Sequence, residues 1–342
     1  MKHTITLIIG CVLILGISFG LYRMLAHTST ESKPRVVRVG YFPNITHAQA
    51  LIGMAQGIFQ KQLGTSTTIE TKIFNAGPSE IEALYAGAID IAYIGPGPAI
   101  NGYMKSGGQE IRIISGSTSG GASLVVQPDI AKKFKTLGAS SLKGTKIASP
   151  QQGNTQDLSL RHYLSTNNIS PDVTITPMAN ADQVTLFQQK KLDGSWAPEP
   201  WASLLVINAG GVRIIDERTL WPNNTFATAV VITTKKMIDT EPDIIHAWLT
   251  AQQNITQWMK NNPSEARSLT NHEIERLTHQ NISEPVLQEA WKMVSFDLNP
   301  IKSSVVTFAK WAREEQFITK GSVDINGIFY LKPLNDITHQ QY

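Results

Sequence analysis

Cysteine is almost absent from this 342-residue chain: the one thiol, Cys11, lies inside an apolar N-terminal run. The rest of the chain therefore has no disulfide, no cysteine nucleophile and no thiolate metal site. Charge is sparse as well, at 17% of residues with a net +3. The cations are scattered rather than clustered, so nothing suggests a nucleic-acid-binding face. Motifs of the common enzyme classes are missing. "SGSTSGGAS" (residues 115–123) lacks the Gly-Lys-Ser/Thr ending of a phosphate loop, and no strand leads into a Gly-x-Gly-x-x-Gly turn. The eight histidines show no HExxH or other metal spacing, and there is no Gly-x-Ser-x-Gly elbow. No cofactor and no metal are expected.

What is present begins with an export pattern. Lys2 and His3 precede "ITLIIGCVLILGISFGLY", residues 5–22, and the next charge is Arg23. A basic start and an apolar run form an export signal. Its length is at the lower limit for a membrane span. A cleaved signal, an uncleaved inner-membrane anchor and lipidation at Cys11, where "IIGC" is similar to a lipoprotein box, all remain open. "TSTESKP" then reads as a linker, so residues 1–35 precede the folded body.

The body alternates β-branched runs with amphipathic segments. "RVVRVGYF" is a strand, and "PNITHAQALIGMAQGIFQKQLG" is a helix ending at Gly64. "TIETKIFN", "GPSEIEALYAGAID" and "IAYIG" continue as strand, helix and strand. The same order recurs in "TKIASP", "QQGNTQDLSLRHYLSTNNI", "VTITPM", "NADQVTLFQQKKLD" and "GSWAP". Residues 77–99 align without a gap on residues 180–202. The chain thus holds two β-α-β-α-β units of an α/β protein with mainly parallel sheets. The stretches "IISGSTSGGASLVVQPD" (residues 113–129) and "NTFATAVVITTKK" (residues 224–236), both with β-branched runs, are the places for the chain to cross between lobes. Lobe 1 is expected over 36–118 and 233–342, and lobe 2 over 119–232. Past Asp239 the sequence is helical, with Trp248, Trp258, Trp291 and Trp311 on apolar faces that read as core.

In open α/β sheets ligands bind beyond the carboxyl ends of strands, where helix starts offer free N–H groups. Small polar residues occur at several such turns. "PNITH" supplies Asn44, Thr46 and His47. "NAGPS" supplies Gly77 and Ser79. "PQQGNTQD" supplies Gln152, Asn154 and Thr155. "GPGP" and "PMANAD" follow two further strands. Taken singly, each is an ordinary helix cap. Together they suit a small anion held by amides and hydroxyls. Asp90 and Asp193 hold equivalent places before strands, at the amino ends, and read as turn residues.

"VRVGYFPNITHAQALIGMAQGIF", "GPSEIEALYAGAIDIAYIGPGPAI", "LKGTKIASPQQGNTQDLSLRHYL" and "LDGSWAPEPWA" together resemble the periplasmic solute-binding proteins of ABC importers for nitrate, sulfonates and taurine. The resemblance runs from about residue 36 to 249. It implies a type II periplasmic-binding fold: two α/β lobes, joined by two hinge strands, closing on a ligand. It implies a monomer outside the cytoplasm that delivers its ligand to a membrane permease with an ATPase. By resemblance, Ser79, Gln152, Asn154 and Thr155 hold an anionic head, with Asn44 and His47 beside the first strand. Glu199 stands where taurine binders place an acid. Trp196 and Trp201 offer surfaces for an apolar part or ring, and core packing serves equally well for Trp196. The alternative reading is an enzyme or binder of the same fold acting on a thiamine-precursor pyrimidine or other heterocycle.

Overall fold

The computed structural model describes residues 35–318 and 323–342. The expectations for the apolar run, Cys11 and the linker fall outside the described residues.

The first half of the alternation is β1 (Arg35–Tyr41), α1 (Ala48–Ala55), α2 (Ile58–Leu63), β2 (Thr67–Ile73), α3 (Gly77–Tyr85), β3 (Ile91–Ile94), α4 (Pro96–Lys105) and β4 (Ile111–Gly120). Next come β5 (Ala122–Val126), α5 (Pro128–Leu137), β6 (Lys146–Ser149), α6 (Thr155–Thr166), β7 (Thr174–Pro177), α7 (Asn180–Gln188), β8 (Gly194–Pro198), α8 (Trp201–Ile207) and β9 (Val212–Asp216). The rest comprises β10 (Ala227–Thr234), α9 (Lys235–Thr240), α10 (Pro242–Asn261), α11 (Pro263–Thr278), α12 (Glu284–Met293), β11 (Val294–Phe296), α13 (Lys302–Glu314) and α14 (Lys332–Thr338).

The strands form two sheets. One has the order β11-β4-β10-β3-β1-β2 and the other β7-β6-β8-β5-β9. In each, the duplicated unit pairs in parallel: β1 with β3, and β6 with both β7 and β8. The later strands pair antiparallel: β10 with β3 and β4, and β5 with β8 and β9. The chain leaves the first sheet at Gly120 and Gly121, both at φ +74°. That left-handed conformation favours glycine and lets β4 turn directly into β5. The return precedes Ala227, since β10 lies wholly in the first sheet.

The internal repeat has a physical counterpart in the two aspartates. The backbone N–H of Arg38 donates to Asp90 at 2.8 Å, and that of Lys146 donates to Asp193 at 2.8 Å. Each aspartate N–H returns a bond to the same residue's carbonyl, at 2.7 and 2.9 Å. In both sheets the residue before the central strand ties down its parallel neighbour.

Both faces of each sheet are covered, as parallel pairing requires. Ile91 and Tyr93 join one apolar cluster, and Ala92 and Ile94 join another. Val125 and Ala197 face away from Leu124 and Trp196 in the same way. Trp248 on α10 stacks on Phe59 at 3.9 Å and is fully buried. Trp258, Trp291 and Trp311 pack against the same clusters. The helix expected to run unbroken to Gly64 is two helices. Gly57, at φ +64°, interrupts it, and Gly64, at φ +77°, ends it.

Candidate ligand-binding cleft

The carboxyl ends of the parallel strands of both sheets meet at one small cavity of about 30 Å³, room for only one or two water molecules. Asn44, Thr46 and His47 reach it from the turn after β1, and Gly95 from the turn after β3. Pro150, Asn154, Thr155 and Gln156 reach it after β6, Asn180 after β7 and Pro198 from the end of β8. None of the lining residues is Asp, Glu, Lys or Arg. The polar character comes from amides, hydroxyls, one imidazole and helix starts. The first N–H groups of a helix have no acceptor within it, and the dipole makes that end positive.

His47 is held in one tautomer. The N–H of Phe42 donates to its Nδ1 at 3.2 Å, so the ring proton sits on Nε2. The ring stacks on Phe42 at 4.5 Å. It is 2% exposed, and burial drives its pKa down to about 3. His47 is thus a neutral donor at physiological pH. Asn44, also buried, accepts from the Thr46 hydroxyl at 2.6 Å.

Asn154 and Thr155 reach across from the second sheet to the first. The N–H of Gly77, first residue of α3, donates to Asn154 Oδ1 at 3.0 Å. The N–H of Gly97, in the first turn of α4, donates to Thr155 Oγ1 at 3.1 Å. Ser79 and Gln152 stand outside the small cavity. They line an adjoining apolar hollow of about 610 Å³ with Ile73, Phe74, Ala76, Pro177 and Met178. Ser79 there donates to its own helix start, at the carbonyl of Ala76, 2.8 Å away. The two spaces share Asn75, Pro150 and Asn180.

A family model for the NMT1-like family matches residues 30–272. The chain belongs to the NMT1-like family. It is 24% identical over 237 residues, 68% of this chain and 70% of the other, to a protein of Brucella abortus (strain 2308) named as a binding protein. It is 29% identical over 196 residues to a protein of Escherichia coli (strain K12) named for binding aliphatic sulfonates, covering 56% of this chain and 57% of that one. In three dimensions the NMT1-like chain is similar to the alkanesulfonate-binding protein of Xanthomonas axonopodis pv. citri bound to MOPS. The TM-score is 0.71 at 15% identity, over 88% of this chain and 99% of that one. The periplasmic nitrate-binding protein of Synechocystis PCC 6803 is similar at a TM-score of 0.71 and 15% identity, over 89% and 88%. The fold is therefore that of the periplasmic binding proteins.

Two expected site residues of this NMT1-like chain lie elsewhere. Trp196 is fully buried in the second sheet's core, where its Nε1 donates to Glu217 at 2.7 Å. Strand alternation sends it to a sheet face, whereas the cavity lies at the strand's end. Glu199 is also fully buried, one residue past the strand, but its carboxylate turns away from the cavity. It accepts the Ser203 N–H at 3.0 Å and pairs with Arg213 at 2.8 Å. Burial pushes its carboxyl up, and Arg213 pulls it partly back. Trp201 packs against the apolar cluster around Phe187.

The sequence marks the turns "NAGPS" and "PMANAD" without singling out Asn75 and Asn180, and it marks neither Phe42 nor Thr228; all four line the cavity. The first three sit at strand exits, the signal that marked Asn44 and Asn154. Thr228 comes from β10, where no local pattern marks it.

Proposed function

We propose that this chain is the solute-binding component of an ABC importer. It captures a small anion of the sulfonate, taurine or nitrate class between two lobes, one built on each sheet, and hands it to a membrane permease and its ATPase. The observation that carries this reading is the convergence of helix starts from both sheets on an uncharged cavity with His47 as a fixed donor. Amides, hydroxyls and helix dipoles stabilise an anion without a cationic side chain. Asn44, His47 and the helix start at Asn154 and Thr155 hold the head group, and Ser79 and Gln152 border the space for a tail. The cavity is too small for a sulfonate as it stands, so capture requires the lobes to part and close again.

Among anions, those without an amine come first. Among the described residues no carboxylate lines either space, so the ammonium of taurine finds no charged partner there. Catalysis is not expected. Among the described residues His47 is the only ordinary acid–base side chain lining the small cavity, and at about 3 its pKa is far from that of an effective base at neutral pH. The named relatives and the apolar N-terminal run together support a place outside the cytoplasm. Thermal unfolding in the presence of methanesulfonate, longer alkanesulfonates, nitrate, taurine and phosphonates tests the reading. Stabilisation by an anion without turnover supports it, and no shift with any of them removes the ligand class. One observation favours the heterocycle reading: the stacked Phe42 and His47 rings at the cavity. A pyrimidine in the same screen separates the two.

A further inference from the structure

In the Gly-Pro-Gly-Pro run at residues 95–98, two residues are confined to glycine from outside. Gly95 has φ −68° and ψ 150°, a conformation open to any residue. Its own backbone therefore does not call for glycine. Its surroundings do: a Cβ there would lie 2.3 Å from Thr155 Oγ1. A Cβ on Gly97 would lie 3.1 Å from both the backbone N and the Cα of Thr155. The residue pressed against both glycines belongs to the other sheet. Its hydroxyl also takes the Gly97 N–H, and Asn154 takes the Gly77 N–H beside it. The contact continues along α6, where His162 stacks on Trp311 of α13 at 4.1 Å and Arg161 lies 5.6 Å from the Phe317 ring.

We propose that Gly95 and Gly97 form a seat into which the first turn of α6 docks, so that Asn154 and Thr155 are positioning residues for lobe closure. The seat brings together helix starts that all present positive dipole ends. Side-chain oxygens of Asn154 and Thr155 supply acceptors to the N–H groups of Gly77 and Gly97. Gly95 and Thr155 also line the ligand cavity, so closing and binding are coupled at the same atoms. A chain that cannot seat α6 spends less time closed, and its apparent affinity falls in proportion. This inference rests on the two-lobe reading proposed above.

The test uses the full chain with Cys11→Ser and spin labels at Glu82→Cys and Thr185→Cys. Both positions are exposed, on α3 of the first sheet and α7 of the second. Pulsed electron–electron distances are recorded without ligand. Gly95→Ala is expected to lengthen and broaden the distribution. Thr155→Ala alone gauges the loss of the acceptor for the Gly97 N–H. Added to Gly95→Ala it also removes the clashing Oγ1, and is expected to bring the distribution back to that of Thr155→Ala alone. A Gly95→Ala distribution identical to the parent overturns the proposal, and so does a double variant more open than Thr155→Ala. Methanesulfonate titration adds a second arm, with Gly95→Ala expected to bind about tenfold more weakly. If the parent binds no anion, the ligand assignment fails, while the distances still decide the seat.

Discussion

Glu199 Oε1 lies 2.8 Å from Arg213 Nη2, and the carboxylate is wholly buried. Arg213 in turn reaches Glu289 at 3.1 Å. It thereby ties the second sheet to α12, the helix leading into β11 of the first. The acid at the end of "GSWAPE" is thus part of the framework between the sheets. Removing Glu199 leaves Arg213 only its pairing with Glu289 and takes the acceptor from the buried Ser203 N–H. Glu199→Ala is expected to cost about 1.5–3 kcal/mol by denaturant unfolding. Glu199→Gln should cost less and leave the order of ligand preference unchanged. A changed preference with intact stability would return Glu199 to the cleft.

His47 gives the protein an acid-sensitive side. Its folded pKa is lowered from 6.5 to about 3 by burial. The folded state therefore binds fewer protons than the unfolded state between those values. Its contribution to stability is full above pH 6.5 and is lost as pH falls toward 3. In His47→Gln, melting temperature should depend less steeply on pH across that window than in the parent.

Glu217 acts in the opposite direction. Burial raises it from 4.5 to about 7, although Ser159 and Trp196 donate to it at 2.6 and 2.7 Å. Its contribution is full below pH 4.5 and lost as pH rises through 7. Glu217→Gln keeps an oxygen to accept one of the two bonds and removes the titration. The variant should show a flatter stability profile on that limb in urea titrations at several pH values.

Glu80 sits in the first turn of α3 beneath Gly40, where any Cβ would come within 2.4 Å of its carboxyl oxygen. It is fully buried, and neither oxygen has a hydrogen-bond partner among the described residues. Burial pushes its pKa well up. An unsatisfied buried polar group costs about 1–3 kcal/mol, so Glu80→Met should stabilise the protein by a similar amount, read from the denaturation midpoint.

Much of this architecture was legible because the repeat kept its local signals. Pro78, Gly64 and the β-branched runs mark element ends, and the strand exits mark Asn44, His47, Asn154 and Thr155. What the local signals leave open is set by tertiary partners. Glu199 aligns with Pro96 in the repeat, which suggests a cleft position, but its direction is set by Arg213 on β9, a strand the sequence reading did not identify. Trp196 reads equally as core or site until its neighbours Leu124 and Val126 are known. The role of Gly95 is invisible without Thr155, because nothing in its own conformation requires glycine.

The central claim is that the cavity between the two sheets holds an anion and does nothing further to it. Calorimetric titration of the parent and of His47→Ala with methanesulfonate and nitrate tests it most directly. The account predicts saturable one-to-one binding of at least one of them, weakened about tenfold in the variant, as expected for loss of a hydrogen bond to a charged group, with the anion recovered unchanged. No binding of either, equal binding by both proteins, or conversion of the anion would contradict it.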